Sequence, residues 1–184
     1  MLLNKDQSCL IVVDVQEKLT PKVMQAKHMV SRCEWLMRLS SELDVPVLIC
    51  EQYPKGLGYT VEPLKTWLPM HVVIEKQSFS AYRDPFFYQE WQKLQRPQVI
   101  LVGIETHVCI LQTAIDFLSN GAQVFIVQDA VSARHLLDHH CALERMKQMG
   151  AQIITSEMIF YEWLKQAGTP TFKALNQAFM LTEK

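Results

Sequence analysis

Three side chains stand out for the chemistry they could do: Asp14, Lys76 and Cys109. Cys109 lies in Leu101-Val-Gly-Ile-Glu-Thr-His-Val-Cys-Ile110, where an apolar, strand-like run gives way at Gly103 to a helix-like pattern. A thiol in the first turn of a helix faces unpaired N–H groups and the positive end of the helix dipole, both of which favour the thiolate. By position alone such a cysteine is as readily a small core residue. A nucleophilic thiol also needs a base for its proton and a cation for the charges that develop. Asp14 can be that base, and Lys76 can stay protonated beside both, hold Asp14 in place and stabilise the thiolate. Attack on a carbonyl would raise an oxyanion, which N–H groups at a helix start are suited to receive. The chemistry is acyl transfer through a thioester, followed by water. The structural alternative is an Asp–Lys ion pair at a strand edge beside an inert cysteine.

The elements that must bring these groups together are legible in the hydrophobic pattern. Ser8-Cys-Leu-Ile-Val-Val-Asp14 is a continuous β-branched run, the mark of a strand buried on both faces. Over residues 24–43 the apolar Met29, Val30, Cys33, Leu36, Met37 and Leu39 recur at helical spacing. Further strands are predicted at 46–50, 71–76, 97–102, 122–127 and 151–155. Helices are predicted at 85–94, from Cys109 to the stop at Asn120-Gly121, at 138–149, and at 157–180 with a break at 168–170. Residues 51–69 read as a long, turn-rich loop near the site. Strands alternating with helices point to an α/β fold with a parallel, Rossmann-like sheet and right-handed crossovers. Ligands bind such sheets beyond the carboxyl ends of the strands. Asp14 and Lys76 each close a strand there and Cys109 opens the helix after one, which favours reactive roles over core packing.

The 184 residues carry a formal net charge of −1, and 49% are hydrophobic against 20% charged, the profile of one globular domain over residues 1–184. No basic cluster calls for nucleic acid. No run approaches membrane-spanning length, and the start Met-Leu-Leu-Asn-Lys-Asp lacks a secretory pattern. Five cysteines without regular spacing fit reduced thiols in the cytoplasm better than a disulfide framework.

Asp14-Val-Gln16, Lys76 and Gly103-Ile-Glu-Thr-His-Val-Cys109-Ile, in that order along essentially the whole chain, resemble the isochorismatase-like cysteine hydrolase superfamily. That superfamily includes nicotinamidases and N-carbamoylsarcosine amidases. The resemblance implies a three-layer α/β/α sandwich around a six-stranded parallel sheet, a triad of Asp14, Lys76 and Cys109, and a homo-oligomer. It also implies a non-proline cis peptide joining Ile104 to Glu105, which would turn the Glu105 N–H toward the oxyanion beside that of Cys109. The chain departs from nicotinamidases where they carry an Asp-x-His metal site, having Glu51-Gln52-Tyr53 instead. Neither a metal nor another cofactor is therefore expected, and nicotinamide is not the expected substrate. A retained Cys109 points to a C–N or other acyl-type bond rather than the vinyl ether of isochorismate. Glu51-Gln-Tyr-Pro-Lys-Gly-Leu-Gly58 also resembles small single-domain members of the superfamily.

Around this centre, Gln16, Tyr53, Phe79 and Tyr82 follow strand ends and are candidates to line a substrate pocket or to pack loops. His107 sits two residues from Cys109, on another face, and reads as structural. His135 and His139, with His140 beside them, read as a solvated helix face rather than a metal pair. Glu105 contributes through its backbone and Asp129 as a loop-fixing carboxylate. Cys9, Cys33, Cys50 and Cys141 read as core or inert. The expected protein is a metal-independent hydrolase of a small amide-like or carbamoyl-like compound, with no nucleic-acid or membrane partner. The alternatives are vinyl ether hydrolysis with Asp14 as the acid, and a non-catalytic or redox-sensing oligomer.

Overall fold

In the computed structural model, which describes residues 1–181, six strands form one parallel sheet. They are β1 (Ser8–Val13), β2 (Val47–Gln52), β3 (Val72–Lys76), β4 (Gln98–Ile104), β5 (Gln123–Ser132) and β6 (Gln152–Ile154), in the order β3-β2-β1-β4-β5-β6. Of the single unit expected over residues 1–184, residues 182–184 lie outside the described residues. The helices are α1 (Ala26–Glu42), the one-turn α2 (Pro54–Leu57) and α3 (Glu62–Lys65), α4 (Pro85–Leu94), α5 (Leu111–Ser119), α6 (Leu136–Gln148), α7 (Ser156–Leu164) and α8 (Pro170–Phe179).

Every residue of β1 and β4 is buried, as their unbroken apolar runs require of central strands covered on both sides. Side-chain alternation divides β1 between two cores. Leu10 and Val12 pack with Leu36, Phe160 and Phe179 on one face. Cys9, Ile11 and Val13 pack with Phe87, Phe117 and Met146 on the other. The chain winds outward from β1 in one direction and from β4 in the other. The crevice for a ligand is therefore expected beyond the carboxyl ends of that adjacent pair. The two strands approach closely because residue 103 is glycine. Its φ is +108°, and a Cβ there would meet the Val13 carbonyl oxygen at 2.1 Å.

Three boundaries differ from the sequence reading for identifiable reasons. β5 runs on to Ser132 because its register against β4 jumps from Leu101↔Ile126 to Gly103↔Val131. The extra residues bulge out, which breaks the hydrophobic pattern at 127 without ending the strand. Residues 51–69 are not one loop, since β2 continues through Gln52 and α2 and α3 follow. The turn bearing Cys109 is a π-helical turn, Thr106–Ile110, that leads into α5.

Candidate active site

β1 stops where Asp14 takes a left-handed conformation, φ 55°, which aspartate tolerates better than most residues. The buried Asp14 carboxylate accepts a hydrogen bond from the Lys76 ammonium, 2.8 Å from Oδ2. Both side chains are wholly sealed from solvent. Lys76 closes β3, two strands from β1, so its ammonium spans the end of β2. There it meets Gln52 Oε1 at 2.7 Å and the carbonyl oxygens of Phe79 and Ser78 at 3.2 and 3.3 Å. Cys109, 6% exposed, arrives from the π-helical turn after β4, with Sγ 4.0 Å from the same Gln52 oxygen. Asp14, Lys76 and Cys109 thus lie at one rim of the sheet, with Lys76 and Cys109 both facing Gln52 Oε1.

The three groups shift one another. Burial raises Asp14 above the ordinary carboxylate range, against the opposing charge of Lys76. Burial likewise raises the Cys109 thiol, with the Asp14 carboxylate adding to the rise and Lys76 opposing it. Burial works against the Lys76 charge, yet Asp14 and the thiols of Cys109 and Cys50 outweigh it, so Lys76 is raised too. The lysine stays charged while Asp14 and Cys109 compete for a proton, a titration that belongs to the pair. Burial and the Asp14 carboxylate thus favour the thiol form of Cys109. Asp14 Oδ1, buried and without a hydrogen-bond partner, is the oxygen left to receive that proton.

Gln52, which the sequence reading did not single out, is held by Gln16. The Gln52 N–H donates to Gln16 Oε1 at 2.7 Å, while Gln16 Nε2 donates to the carbonyls of Gln52 and Gly58 at 3.0 and 2.6 Å. The Gln16 amide pairs both backbone groups of Gln52 as a neighbouring strand would. Gln16 is fully buried and acts as a brace, where a pocket-lining residue was expected. The left-handed turn at Asp14 sends the chain back toward β2. Tyr53 and Phe79 do sit at this rim, 49% and 53% exposed, with the Tyr53 N–H donating to the Lys76 carbonyl. Tyr82 turns instead into an aromatic cluster, its ring 4.9 Å from Phe117 and 5.1 Å from Tyr88.

The peptide joining Ile104 to Glu105 is cis. The Glu105 carboxylate accepts from Arg134 Nε at 2.9 Å, which leaves its backbone as its route into the site. His107 keeps a buried Nδ1 without a partner. His135 and His140 are exposed, but His139 is not on a solvated face, being half-buried with Nδ1 3.0 Å from Thr106 Oγ1. Asp129 fixes the start of α7 by accepting from the Ser156 N–H and hydroxyl. Cys9, Cys33 and Cys50 are buried, with Cys9 pushed up to about 12 by burial, whereas Cys141 is exposed and not a core residue. Glu51 accepts from the Thr60 N–H and hydroxyl at 2.7 and 2.6 Å. With Glu51 on Thr60 and Gln52 on Lys76, the segment that carries metal ligands in nicotinamidases is committed to protein contacts. These residues do not fit a metal.

Comparison with known proteins gives the family and the fold. The Isochorismatase domain family matches residues 8–158. Isochorismatase family protein 1B of Dictyostelium discoideum is 37% identical over 174 residues, covering 92% of this chain and 84% of that protein. A solved structure described as MAR1 ribonuclease from Caenorhabditis elegans is 36% identical with a TM-score of 0.92, covering 100% of this chain and 94% of that one. YcaC from Escherichia coli, described as an octameric hydrolase of unknown specificity, shares the fold at a TM-score of 0.91 and 23% identity, covering 98% of this chain and 92% of its own. With the six-stranded parallel sheet and the matched region running from β1 through the start of α7, this chain belongs to the isochorismatase family.

Proposed function

We propose that the protein is a metal-independent cysteine hydrolase that cleaves a small amide-like or carbamoyl-like C–N bond through a thioester. The observation that carries this reading is the sealed Asp14–Lys76 pair beside the Cys109 thiol at the carboxyl rim of the sheet. In the first half-reaction Asp14 takes the thiol proton as sulfur attacks the carbonyl carbon. The oxyanion is received by the N–H groups of Glu105 and Cys109. The C–N bond breaks, the leaving nitrogen takes the proton from Asp14, and the acyl group stays on sulfur. Water then attacks the thioester with Asp14 again as the base, releasing the acid and restoring the thiol. Lys76 keeps its charge throughout and steadies whichever of its neighbours is anionic.

Tyr53 and Phe79 would meet the substrate at the rim, in a homo-oligomer such as the octamer described for YcaC. Neither a partner metal nor another cofactor enters the scheme. The ribonuclease activity named for the C. elegans protein is not carried over. A 6% exposed thiol in a chain of net charge −1 is poorly suited to a phosphate polyanion.

A screen of small amides and carbamoyl compounds tests the proposal: the unaltered protein should release amine or ammonia, while Cys109→Ala and Asp14→Ala should not. Equal turnover by the unaltered protein and Cys109→Ala would contradict it. The raised proton affinity of buried Asp14 also suits a second reading, protonation of a vinyl ether. That reading requires Cys109→Ala to keep activity and Asp14→Ala to lose it.

A further inference from the structure

A second crevice, of about 420 Å³, lies beyond the carboxyl ends of β5 and β6. Its volume falls within the range of small-molecule sites. It contains none of Asp14, Lys76 and Cys109 and is lined instead by the imidazoles of His28, His139 and His140, with the amides of Gln25 and Gln128. Three of the molecule's six histidines converge here from α1 and α6. His139 and His140 stack edge to face with centroids 5.8 Å apart. Thr106 fixes the orientation of His139: its Oγ1 lies 3.0 Å from Nδ1, so Nε2 is the nitrogen free to meet a ligand. When the threonine hydroxyl donates to Nδ1, Nε2 carries the hydrogen and offers a donor.

The neighbouring polar groups are already engaged. Asp129 holds Ser156 through both oxygens, the Ser132 hydroxyl donates to the Met24 carbonyl, and Thr155 caps α7. The crevice also receives the starts of α1 and α6, neither of which has a side-chain cap. Their dipoles favour an anion beside the N–H donors of the imidazoles. Met24, Val131 and Leu136 supply apolar wall. Among the described residues no three His, Cys, Asp or Glu side chains are placed to hold a metal ion, so the imidazoles are better read as hydrogen-bond donors than as metal ligands.

We propose that this crevice is a binding site for a compact oxyanion, a carboxylate on a small apolar body or a phosphate, held by His28, His139 and His140.

The histidine ring resonances of the full chain, followed by NMR at constant ionic strength and neutral pH, test this. Sodium benzoate and sodium phosphate are titrated separately, with neutral benzamide as control. Benzoate, phosphate or both should shift His28, His139 and His140 saturably while His71, before β3, stays in place. Saturation with benzoate alone identifies an organic acid as the ligand class, and with phosphate alone a phosphate. His139→Gln disturbs Thr106 as well, so the decisive variant is His28→Gln/His140→Gln, which should weaken binding by about tenfold or more. Shifts that fail to saturate, that move His71 in step, that benzamide reproduces, or that persist unweakened in the double variant would overturn the site.

Discussion

The two ends of the central sheet are built from different kinds of polar contact. At the amino end, Ser8, Gln98 and Trp163 form a neutral network in which each group finds a partner. The Trp163 indole donates to Ser8 Oγ at 3.1 Å, the Asn4 N–H donates to Gln98 Oε1 at 2.7 Å, and the Gln98 amide reaches the Leu2 carbonyl and Gln123. This satisfied network, with the Leu3 N–H donating to the Glu162 carboxylate at 2.6 Å, fastens the amino-terminal segment to the sheet. At the carboxyl end a buried ion pair, Asp14–Lys76, stands among the buried amides of Gln16 and Gln52, and Asp14 Oδ1 has no hydrogen-bond partner. Charged groups left one bond short are stable only because their surroundings enforce them, and that is the end where chemistry is expected.

Substitutions should separate the two ends. The largest effect is on turnover: Cys109→Ala should lower the rate on a responsive amide on the order of ten-thousandfold while the fold, followed by circular dichroism, is kept. The next is on stability. Lys76→Ala strands a carboxylate in the core and should cost about 3–5 kcal/mol by urea unfolding. Because Lys76 is raised in the folded protein, its contribution is fully present below the ordinary lysine range. It is lost only as pH climbs through the folded value. The gap between unaltered and Lys76→Ala proteins should therefore narrow as pH climbs past the ordinary lysine range.

At the opposite end, Gln98→Ala leaves neutral partners unsatisfied and should cost about 1–3 kcal/mol, with turnover per folded molecule unchanged. A loss of turnover there would erase the distinction between the ends. The smallest effect concerns the pH profile. Asp14 must be ionised to act as base and is raised by burial, so the acid limb of kcat/KM should lie above the ordinary carboxylate range. An acid limb at the value of a free aspartate would show that another group is the base.

What was legible in the sequence was what local pattern encodes. The apolar runs ending at Asp14 and Lys76 placed both groups at one rim, because parallel strands alternating with helices end at the same edge of the sheet; β1 is buried throughout, whereas β3 is a partly exposed edge strand. Gln52 was missed because an amide after a strand looks like any polar loop residue. Its importance comes from Gln16, 36 positions away, and from an ammonium on a third strand. Tyr82, which follows a strand end, was open in the sequence to lining the pocket or packing a loop. Its ring instead fills a gap between α4 and α5, a matter of packing volume that periodicity does not carry. The solvated helix face expected for His139 failed for a related reason, since helical spacing reports which residues share a face but not that Thr106 lies against it. The rise of the Cys109 thiol was likewise beyond reach, because burial, its first cause, is a property of the assembled fold.

The central claim is that Cys109 forms a covalent bond with the substrate. Its most direct test is acid-quenched mass spectrometry of the protein during turnover of a small amide. An adduct with the mass of the acyl group should appear on the peptide containing Cys109 and be absent from Cys109→Ala. Steady turnover with Cys109 unmodified, and the same rate in Cys109→Ala, would contradict the account.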